Sequence, residues 1–302
     1  MIIEVSEERL PFFEALASDV RIKVIKRLAK GEANIKELAD CLHLSSAIMS
    51  SHVRKLEKAG IIMTRTSKKF GKVCTLLQYD YQVELPKEKS LNRKSYEIQI
   101  PVGHYTKAHV EPTCGLANTE KIIGIFDDPR CFFDVERVSA KLLWFTQGFV
   151  EYTVSNYIRE NHALESIEIE AELSSEAPHI NDNWPSDITV SLNDREVCTW
   201  TSPGDFGNKR GKYTPTWWIS NQYGILKLFS ISRTGVYLDG EKKSDRTLDD
   251  FDLGREQWTI RFEVSPNHPN VGGLTIYGSD FGNYKQDILI RTNYSLLNHN
   301  DR

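Results

Sequence analysis

The sequence has few cysteines, and no two of them lie close together in the chain. The thiols are five in number, widely spaced and without a CxxC pair: Cys41, Cys74, Cys114, Cys131 and Cys198. An odd set of isolated cysteines fits reduced thiols better than the disulfide framework of a secreted protein. We therefore expect a cytoplasmic protein.

Long apolar runs are also absent. No stretch approaches the roughly 18 apolar residues that a membrane-spanning helix needs, and the first residues show no basic-then-apolar secretion signal. We therefore expect no membrane partner.

Metal-ligand spacing is missing as well. His104, His109 and Cys114 do not have the spacing of a zinc signature, and the acidic loop at 278–287 lacks a recognised calcium-binding pattern. We therefore predict no metal site and no cofactor.

A strong net charge is the last feature that the chain lacks, since the 302 residues carry a formal charge of only −4. The charge is unevenly distributed, however. The first 90 residues hold 16 lysines and arginines against 12 acidic residues, whereas the remainder holds 22 against 30. The beginning of the chain is therefore the plausible partner of a polyanion such as nucleic acid.

The beginning of the chain contains a pattern of helices followed by a basic hairpin. Apolar residues at helical spacing predict helices near 10–16, over 19–29, from Asn34 to Leu42 and from Ser45 to about Ala59. Gly60 is expected to end the last helix, and two strands follow, Ile61–Thr66 and Lys72–Leu77. The order helix, turn, helix, hairpin is typical of a winged helix-turn-helix.

The helix that begins at Ser45 is predicted to read DNA. Ile48, Val53 and Leu56 are expected to face the core, with Met49 at its margin. Short side chains at the helix start allow the backbone to approach base edges, and basic side chains further along suit phosphates. The predicted contacts are Ser45, Ser46, Ala47, Ser50, Ser51, Arg54 and Lys55.

The hairpin adds a second set of predicted DNA contacts, namely Arg65, Lys68, Lys69 and Lys72. Basic side chains at such a tip suit the phosphates beside a minor groove. A single basic cluster is more often a solvated face, but the combination of capped helices, turn and basic hairpin favours double-stranded DNA as the partner.

The stretch from Phe12 to Leu77 resembles the winged helix of the ArsR-type family of bacterial transcriptional regulators. The segments FEALASDVRIKVIKRLAKGEANIKELAD and LSSAIMSSHVRKLEKAGII carry the resemblance. It implies a homodimer on a two-fold operator. Metal-sensing members place a cysteine pair where this sequence reads Ile35-Lys36-Glu37-Leu38, so the resemblance does not imply a metal inducer.

The rest of the chain has the alternation of β-strands. Residues 84–95 are polar, lack periodicity and are predicted to link a domain at 1–83 to one at 96–295. Ten or more short alternating segments follow, with turn residues such as Asn193-Asp194 between them. The predicted fold class is α+β multidomain: a winged helix-turn-helix followed by an all-β antiparallel sandwich or jelly roll.

Three long loops in this second domain are rich in aromatic and polar residues, at 179–187, 199–224 and 278–287. Aromatic faces stack on sugar rings, and polar groups read hydroxyls. The loops therefore predict a small carbohydrate ligand, although such aromatics also plug the open end of a sandwich. The candidate residues are Trp184, Trp200, Asp205, Asn208, Arg210, Tyr213, Trp217 and Trp218.

The whole arrangement, with GKYTPTWW, QYG and GLTIYGSDFGNYKQDI near the end, resembles a group of predicted ArsR-type regulators of Gram-positive bacteria in which a jelly roll follows the winged helix. It implies a one-component regulator, here expected to be a dimeric repressor. Two alternatives remain: a β-domain that only mediates protein interaction or assembly, and a sugar-active enzyme. No carboxylate pair establishes an active site, so we predict that the protein is not an enzyme.

Overall fold

The computed structural model describes residues 2–67, 71–79, 81–85 and 93–297. The chain divides into two compact units, residues 1–89 and residues 90–302, here named the front unit and the back unit. None of the helices in the described residues is long and apolar enough to cross a membrane.

The front unit is mainly helical. Its α-helices are α1 (Leu10–Leu16), α2 (Asp19–Leu28), α3 (Ile35–Cys41) and α4 (Ser46–Lys58), with a short 3₁₀ helix at Glu7–Arg9. Its strands are β1 (Ile2–Glu4), β2 (Ala33–Asn34), β3 (Ile62–Ser67), β4 (Gly71–Leu76) and β5 (Gln82–Glu84).

The core of the front unit forms where one face of each helix turns inward. Helix α4 buries Met49, Val53 and Leu56, which stand at i, i+4 and i+7 and so share one face. The prediction that Ile48 faces the core with Met49 at its margin is wrong, because Met49 is fully buried and Ile48 is 49% exposed. Ile48 lies one residue, or about 100° of helix rotation, away from this stripe.

Two small sheets complete the front unit. Strands β2, β4 and β3 form an antiparallel sheet, in which the β3–β4 hairpin runs from the Ile62–Leu76 pair to the Ser67–Gly71 pair. Strands β1 and β5 pair in parallel, which the sequence pattern did not predict. The hairpin is the predicted wing.

The back unit is built from strands and short 3₁₀ helices. The strands are β6 (Arg93–Ile100), β7 (Lys107–Ala117), β8 (Ile122–Ile123), β9 (Leu142–Ser155), β10 (His162–Ser174), β11 (Ser186–Leu192), β12 (Arg195–Ser202), β13 (Ile225–Ser232), β14 (Gly235–Leu238), β15 (Glu241–Ser244), β16 (Gln257–Val264), β17 (Leu274–Tyr277) and β18 (Ile288–Leu296). The 3₁₀ helices are Pro129–Phe133, Val135–Ser139 and Leu248–Phe251.

These thirteen strands form one antiparallel sheet system. Its main path runs β12-β11-β16-β9-β17-β10-β13-β14-β15, with β7 and β8 beside β9, and with β18 and β6 beside β10. Strand β17 is the link, because it pairs with β9 on one edge and with β10 on the other. Alternate side chains of the strands, such as Ile260 and Phe262, fill a large apolar core.

Backbone conformation explains two features of the sheet, the turn between β11 and β12 and the continuity of β9. The Asn193-Asp194 turn predicted between β11 and β12 is present, and both residues adopt the positive φ that tight hairpin turns require. The prediction of two strands around Gly148 is wrong, because β9 continues through it. Gly148 has a φ of +107°, and a Cβ there would lie 1.9 Å from the carbonyl oxygen of His109.

The predicted division into a helical beginning and an all-β remainder is therefore confirmed: a helix-turn-helix region with a short strand wing precedes a large antiparallel sheet domain. The first strand of that domain begins at Arg93, inside the segment 84–95 that the sequence predicts to be a linker, and residues 86–92 lie outside the described residues.

Candidate functional site

Helices α3 and α4 are fixed by capping at both starts. Asn34 and Glu37 form a capping box, in which each side chain accepts a backbone N–H of the other at 2.9 Å. Ser45 caps α4 by accepting the N–H of Ile48 at 3.3 Å. Between the helices, His43 adopts a left-handed φ of 54°. The turn is therefore set by local hydrogen bonds.

The outward face of α4 combines small, apolar and basic side chains. Its exposed side chains include Ser46, Ala47, Ile48, Ser51, Arg54 and Lys55, and Ser50 is half-buried. The hydroxyl of Ser50 donates to the carbonyl of Ser46 at 2.7 Å. Within the described residues, Arg54 and Lys55 make no hydrogen bond or ion pair, so both cations are available to an anionic partner.

His52 lies at the edge of the buried face of α4. Its Nδ1 is buried and has no hydrogen-bond partner among the described atoms. Burial lowers the pKa of His52, and the positive charges of Arg21 and Lys55 lower it further. The neutral imidazole is therefore favoured, which fits a packed histidine rather than a base-reading one.

The basic residues of the wing are paired with carboxylates. Arg65 donates to both oxygens of Glu32 at 2.9 and 2.8 Å, and Lys72 pairs with Glu57 at 3.0 Å. Arg65 and Lys72 remain 56% and 42% exposed, so they can also reach solvent. Lys68 and Lys69, the other two predicted wing contacts, lie outside the described residues.

The three predicted loops of the back unit are joined by hydrogen bonds, although two of them are shorter than predicted because Ser186–Leu192 and Arg195–Ser202, which includes Trp200, are strands. The N–H of Asp205 donates to the carbonyl of Asn181 at 2.9 Å, which joins the first loop to the second. The N–H of Tyr213 donates to the carbonyl of Gly282 at 2.9 Å, which joins the second to the third. These backbone contacts bring residues about 100 positions apart in the chain to one end of the domain.

A buried carboxylate holds two of these loops. The Glu172 side chain accepts backbone N–H groups of Gly224 at 2.9 Å, Asn283 at 2.8 Å and Tyr284 at 3.1 Å. Burial raises the pKa of Glu172 to about 7, while the three N–H donors oppose the shift. Glu172 thus holds the two loops together through hydrogen bonds to their backbone.

The predicted ligand residues occupy different surroundings. Trp200 is in the core, with the ammonium group of Lys227 4.9 Å from its ring centre. Asn208 donates to Asp182 at 2.8 Å, and Arg210 donates to the carbonyls of residues 214–216 in its own loop. Their ligand-binding role stays a prediction, and in this structure they hold loops together.

Two of the predicted residues do contribute to one recess. Trp217 and Trp218 line a cavity of about 460 Å³, here named the aromatic cavity. Its other lining residues are Thr113, Ile122, Phe126, Trp144, Glu176, Ala177, Pro178, Ile219, Ser220 and Asn221. Trp184, in contrast, is 37% exposed but does not line this cavity.

Three indole rings give the aromatic cavity its shape. The ring centres of Trp217 and Trp218 are 5.5 Å apart with an angle of 86° between the planes, and that of Trp144 lies 5.3 Å from Trp218. Trp144 fits because its partner on β7 is Gly115, where a Cβ would lie 2.3 Å from the indole. The glycine therefore creates the space for the ring.

A buried acid lies in the wall of the cavity. Glu176 is 8% exposed, and its Oε2 accepts from Asn221 at 2.9 Å and from Thr275 at 3.2 Å. Burial, together with the nearby Asp205, raises the pKa of Glu176 well above its ordinary value. Burial raises the pKa of Asp205 to about 7, and its Oδ1 has no hydrogen-bond partner among the described atoms.

Sequence reasoning missed most of this cavity. Trp144 and Glu176 lie in or beside strands whose alternation indicated only a sheet, and Phe126 lies in the stretch 118–138 that the pattern left unassigned. Gly115 within a strand was an available signal, because such a glycine often marks a close approach of another side chain or backbone.

In the described ranges, no group of three or more His, Cys, Asp or Glu side chains could hold a metal ion.

The front unit matches a known family. Residues 18–64 match the model of the bacterial regulatory protein, arsR family. An uncharacterized HTH-type transcriptional regulator of Methanocaldococcus jannaschii is 43% identical over 49 residues, which cover 16% of this chain and 52% of that protein. The chain therefore spans about half the length of the curated relative it matches.

Solved structures show weaker overall similarity. An ArsR family transcriptional regulator aligns over 24% of this chain and 78% of its own with 29% identity and a TM-score of 0.22. The binding domain of botulinum neurotoxin serotype D aligns over 80% of this chain and 49% of its own with 11% identity and a TM-score of 0.24. Neither TM-score establishes a shared overall fold. Residues 18–64 form an ArsR-family helix-turn-helix domain.

Proposed function

We propose that this protein is a DNA-binding transcriptional regulator that places α4 in the major groove. The observation that carries the proposal is the outward face of α4, where small side chains at the capped start are followed by Arg54 and Lys55, two exposed cations that have no ion-pair partner among the described residues. A helix of this kind lets its first turns approach base edges while its basic residues meet phosphates. The family match at residues 18–64 supports the same conclusion.

The exposed Ile48 joins this face. An apolar side chain at the start of a recognition helix can contact the methyl group of thymine. The proposed base-contacting set is therefore Ser46, Ala47, Ile48, Ser50 and Ser51, and the phosphate-contacting set is Arg54 and Lys55. Arg65 and Lys72 in the wing would add phosphate contacts by exchanging their carboxylate partners for DNA.

The proposed active form is a homodimer on a two-fold operator. One α4 covers only a few base pairs, and a dimer that presents two such helices reads two half-sites about one helical turn apart. The operator should therefore be an inverted repeat. The back unit is proposed to bind a small effector and to act as the regulatory part of a one-component repressor, without an enzymatic step.

An effector can regulate DNA binding only if it binds the DNA-competent and DNA-incompetent states with different affinity. The sequence predicts a carbohydrate as effector. The residues on which this prediction is based do not all line one cavity in the structure. The aromatic cavity is a recess lined by two of them, Trp217 and Trp218, so we place effector binding there.

The experiment selects duplexes from a random pool with the full-length protein and measures Kd for the enriched sequence over a range of salt. We expect an inverted repeat, and we expect Arg54→Ala to weaken binding and to reduce the salt slope by about one. Lys285→Ala, at an exposed residue of the back unit, is the matched control and should leave both unchanged. Failure to enrich any sequence would contradict the proposal.

A second function for the back unit is favoured by one observation. The two consecutive 3₁₀ helices Pro129–Phe133 and Val135–Ser139 and the loop before them expose large apolar side chains, among them Ile125 at 67%, Phe133 at 72% and Val135 at 90%. Large apolar side chains that cluster on a surface mark interaction sites, and these three lie close together in the sequence. A back unit that mediates assembly rather than ligand binding would lose self-association in Phe133→Ser, measured by sedimentation, while its ligand titrations would show no binding.

A further inference from the structure

The aromatic cavity is acidic as well as aromatic. Of its twelve lining residues, Glu176 is the one that carries a charge-bearing side chain, and none is lysine, arginine or histidine. Asp205 lies just behind the wall, where its Oδ2 accepts the N–H of Ala177 at 3.2 Å. An anionic ligand would find no cationic side chain in this lining, so the cavity selects against anions.

Two neighbouring tryptophans contribute to the lining. Trp217 and Trp218 make an edge-to-face contact, with ring centres 5.5 Å apart and 86° between the planes, and both line the cavity. The face of an indole ring carries negative charge density and attracts cations within about 6 Å of its centre. Phe126, whose ring centre is 6.0 Å from that of Trp144, adds a further aromatic side chain to the lining.

Several polar groups of the cavity already have hydrogen-bond partners within the protein. The indole N–H of Trp217 donates to the carbonyl of Thr119 at 2.6 Å, and that of Trp218 donates to Asn221. The amide of Asn221 in turn donates to Glu176 and to Thr275. A sugar needs several free partners for its hydroxyls, whereas a fully methylated ammonium ion has no N–H and needs none.

We propose that the aromatic cavity binds a quaternary ammonium ion, with the rings of Trp217 and Trp218 as its principal contacts. The volume of about 460 Å³ is within the range of small-molecule sites. The identification of this ion as the effector rests on the proposed regulatory function, but its binding to the back unit does not.

The experiment compares a cation with a neutral molecule of the same shape. Choline and its uncharged analogue 3,3-dimethylbutan-1-ol are titrated into the full-length protein by calorimetry. Because a desolvated cation–π contact adds to the apolar contact that both molecules make, we expect choline to bind at least tenfold more tightly. Equal affinities, or no heat with choline at millimolar concentration, would overturn the proposal.

Two tryptophans of equal exposure provide the matched variants. Trp217 is 36% exposed and lines the cavity, and Trp184 is 37% exposed and does not. Trp217→Ala should weaken choline at least tenfold, and Trp184→Ala should leave it unchanged. If Trp184→Ala weakened choline binding and Trp217→Ala did not, the proposal would be contradicted, and the loop at 179–187 would be the binding site.

Glu176→Gln tests whether the rings alone select the cation. Because burial favours the neutral acid form of Glu176, the amide of similar shape should leave the affinities for choline and for the neutral analogue nearly unchanged. A loss of affinity for choline alone would show that an ionised Glu176 selects the cation and would contradict the role given to the rings. If that variant does not fold, the Trp217→Ala and Trp184→Ala pair still decides.

The outcomes separate the two proposals. Choline binding without any enriched DNA sequence would contradict the regulatory function and leave the site intact. The protein could instead bind a specific DNA sequence and bind a sugar, but not choline, through Trp217. That result would contradict only the proposed class of ligand.

Discussion

The two units present their candidate functional side chains in opposite ways. The front unit places them on the exposed face of a single helix, α4, which spans 13 residues. The back unit recesses them in a cavity whose lining runs from Thr113 to Asn221. A continuous convex face suits a long, rigid polyanion, and an enclosed aromatic recess suits a small molecule.

The charged groups of the two sites differ as well. The face of α4 carries the cations Arg54 and Lys55, whereas the wall of the cavity contains Glu176, an acid whose neutral form is favoured by burial. The net charge of the whole chain conceals the basic character of the front unit, because the 16 basic and 12 acidic residues of the first 90 positions are added to the 22 basic and 30 acidic residues of the remainder.

The largest effect should come from comparing neighbouring residues of α4. Met49→Ala removes a fully buried side chain and should lower the free energy of unfolding of the front unit by roughly 2–5 kcal/mol. Ile48→Ala, at the exposed neighbour, should change it by less than about 0.5 kcal/mol but weaken DNA binding. The α-helices of the described residues all lie in the front unit, so far-ultraviolet circular dichroism in urea measures this unit.

Equal destabilisation by the two substitutions would contradict the orientation of α4. A stable Met49→Ala protein with unchanged DNA affinity would show that this helix is not fixed by its buried stripe.

The next effect concerns pH. Burial raises the pKa of Asp205 and that of Glu172 to about 7, so between about pH 4 and pH 7 the folded back unit binds protons that the unfolded chain releases. The stability of the back unit should therefore fall as pH rises through this window. All six tryptophans lie in the back unit, so their fluorescence reports its melting temperature, which should drop by about 5 °C or more.

Asp205→Asn is the control, because it removes the titrating group and keeps the shape. Its melting temperature should vary less between pH 4 and pH 7 than that of the wild type. An unchanged pH dependence would show that Asp205 does not titrate in this range.

The smallest effect concerns the wing. Glu32 holds Arg65 in an ion pair whose partners are 54% and 56% exposed. Glu32→Gln should change stability by less than about 1 kcal/mol and should raise DNA affinity a few-fold, since it frees Arg65 and removes a negative charge near the phosphates. The measurement is Kd for the selected duplex by fluorescence anisotropy.

Glu256→Gln, an exposed residue of the back unit, provides the same charge change away from the wing. Matching gains in the two variants would indicate an effect of net charge alone and would remove Arg65 from the proposed interface.

Much of the front unit could be predicted from the sequence because its signals are local. The capping residues Asn34 and Ser45 and the helical spacing of Val53 and Leu56 each act within one or two turns. The error at Ile48 and Met49 was a shift of one residue, which periodicity alone does not resolve when adjacent residues are both apolar.

In the back unit, the sequence predicted the strands but not the cavity. Alternation and the Asn193-Asp194 turn indicate antiparallel pairing, and both are local. The cavity depends on contacts between residues distant in sequence, such as Trp144 with Trp218 and Glu176 with Asn221. No periodicity connects these residues, so the three aromatic loops predicted an end of the domain without specifying which tryptophans meet.

The most direct test of the account is the affinity of Ser50→Glu/Arg54→Glu for the duplex that the wild-type protein selects, measured by fluorescence anisotropy with circular dichroism as the check on folding. Both residues lie on the proposed reading face of α4, and carboxylates there would face bases and phosphates. The account predicts that the double variant keeps the wild-type helical signal and loses sequence-specific binding. A folded double variant that retains wild-type affinity would show that α4 does not read DNA.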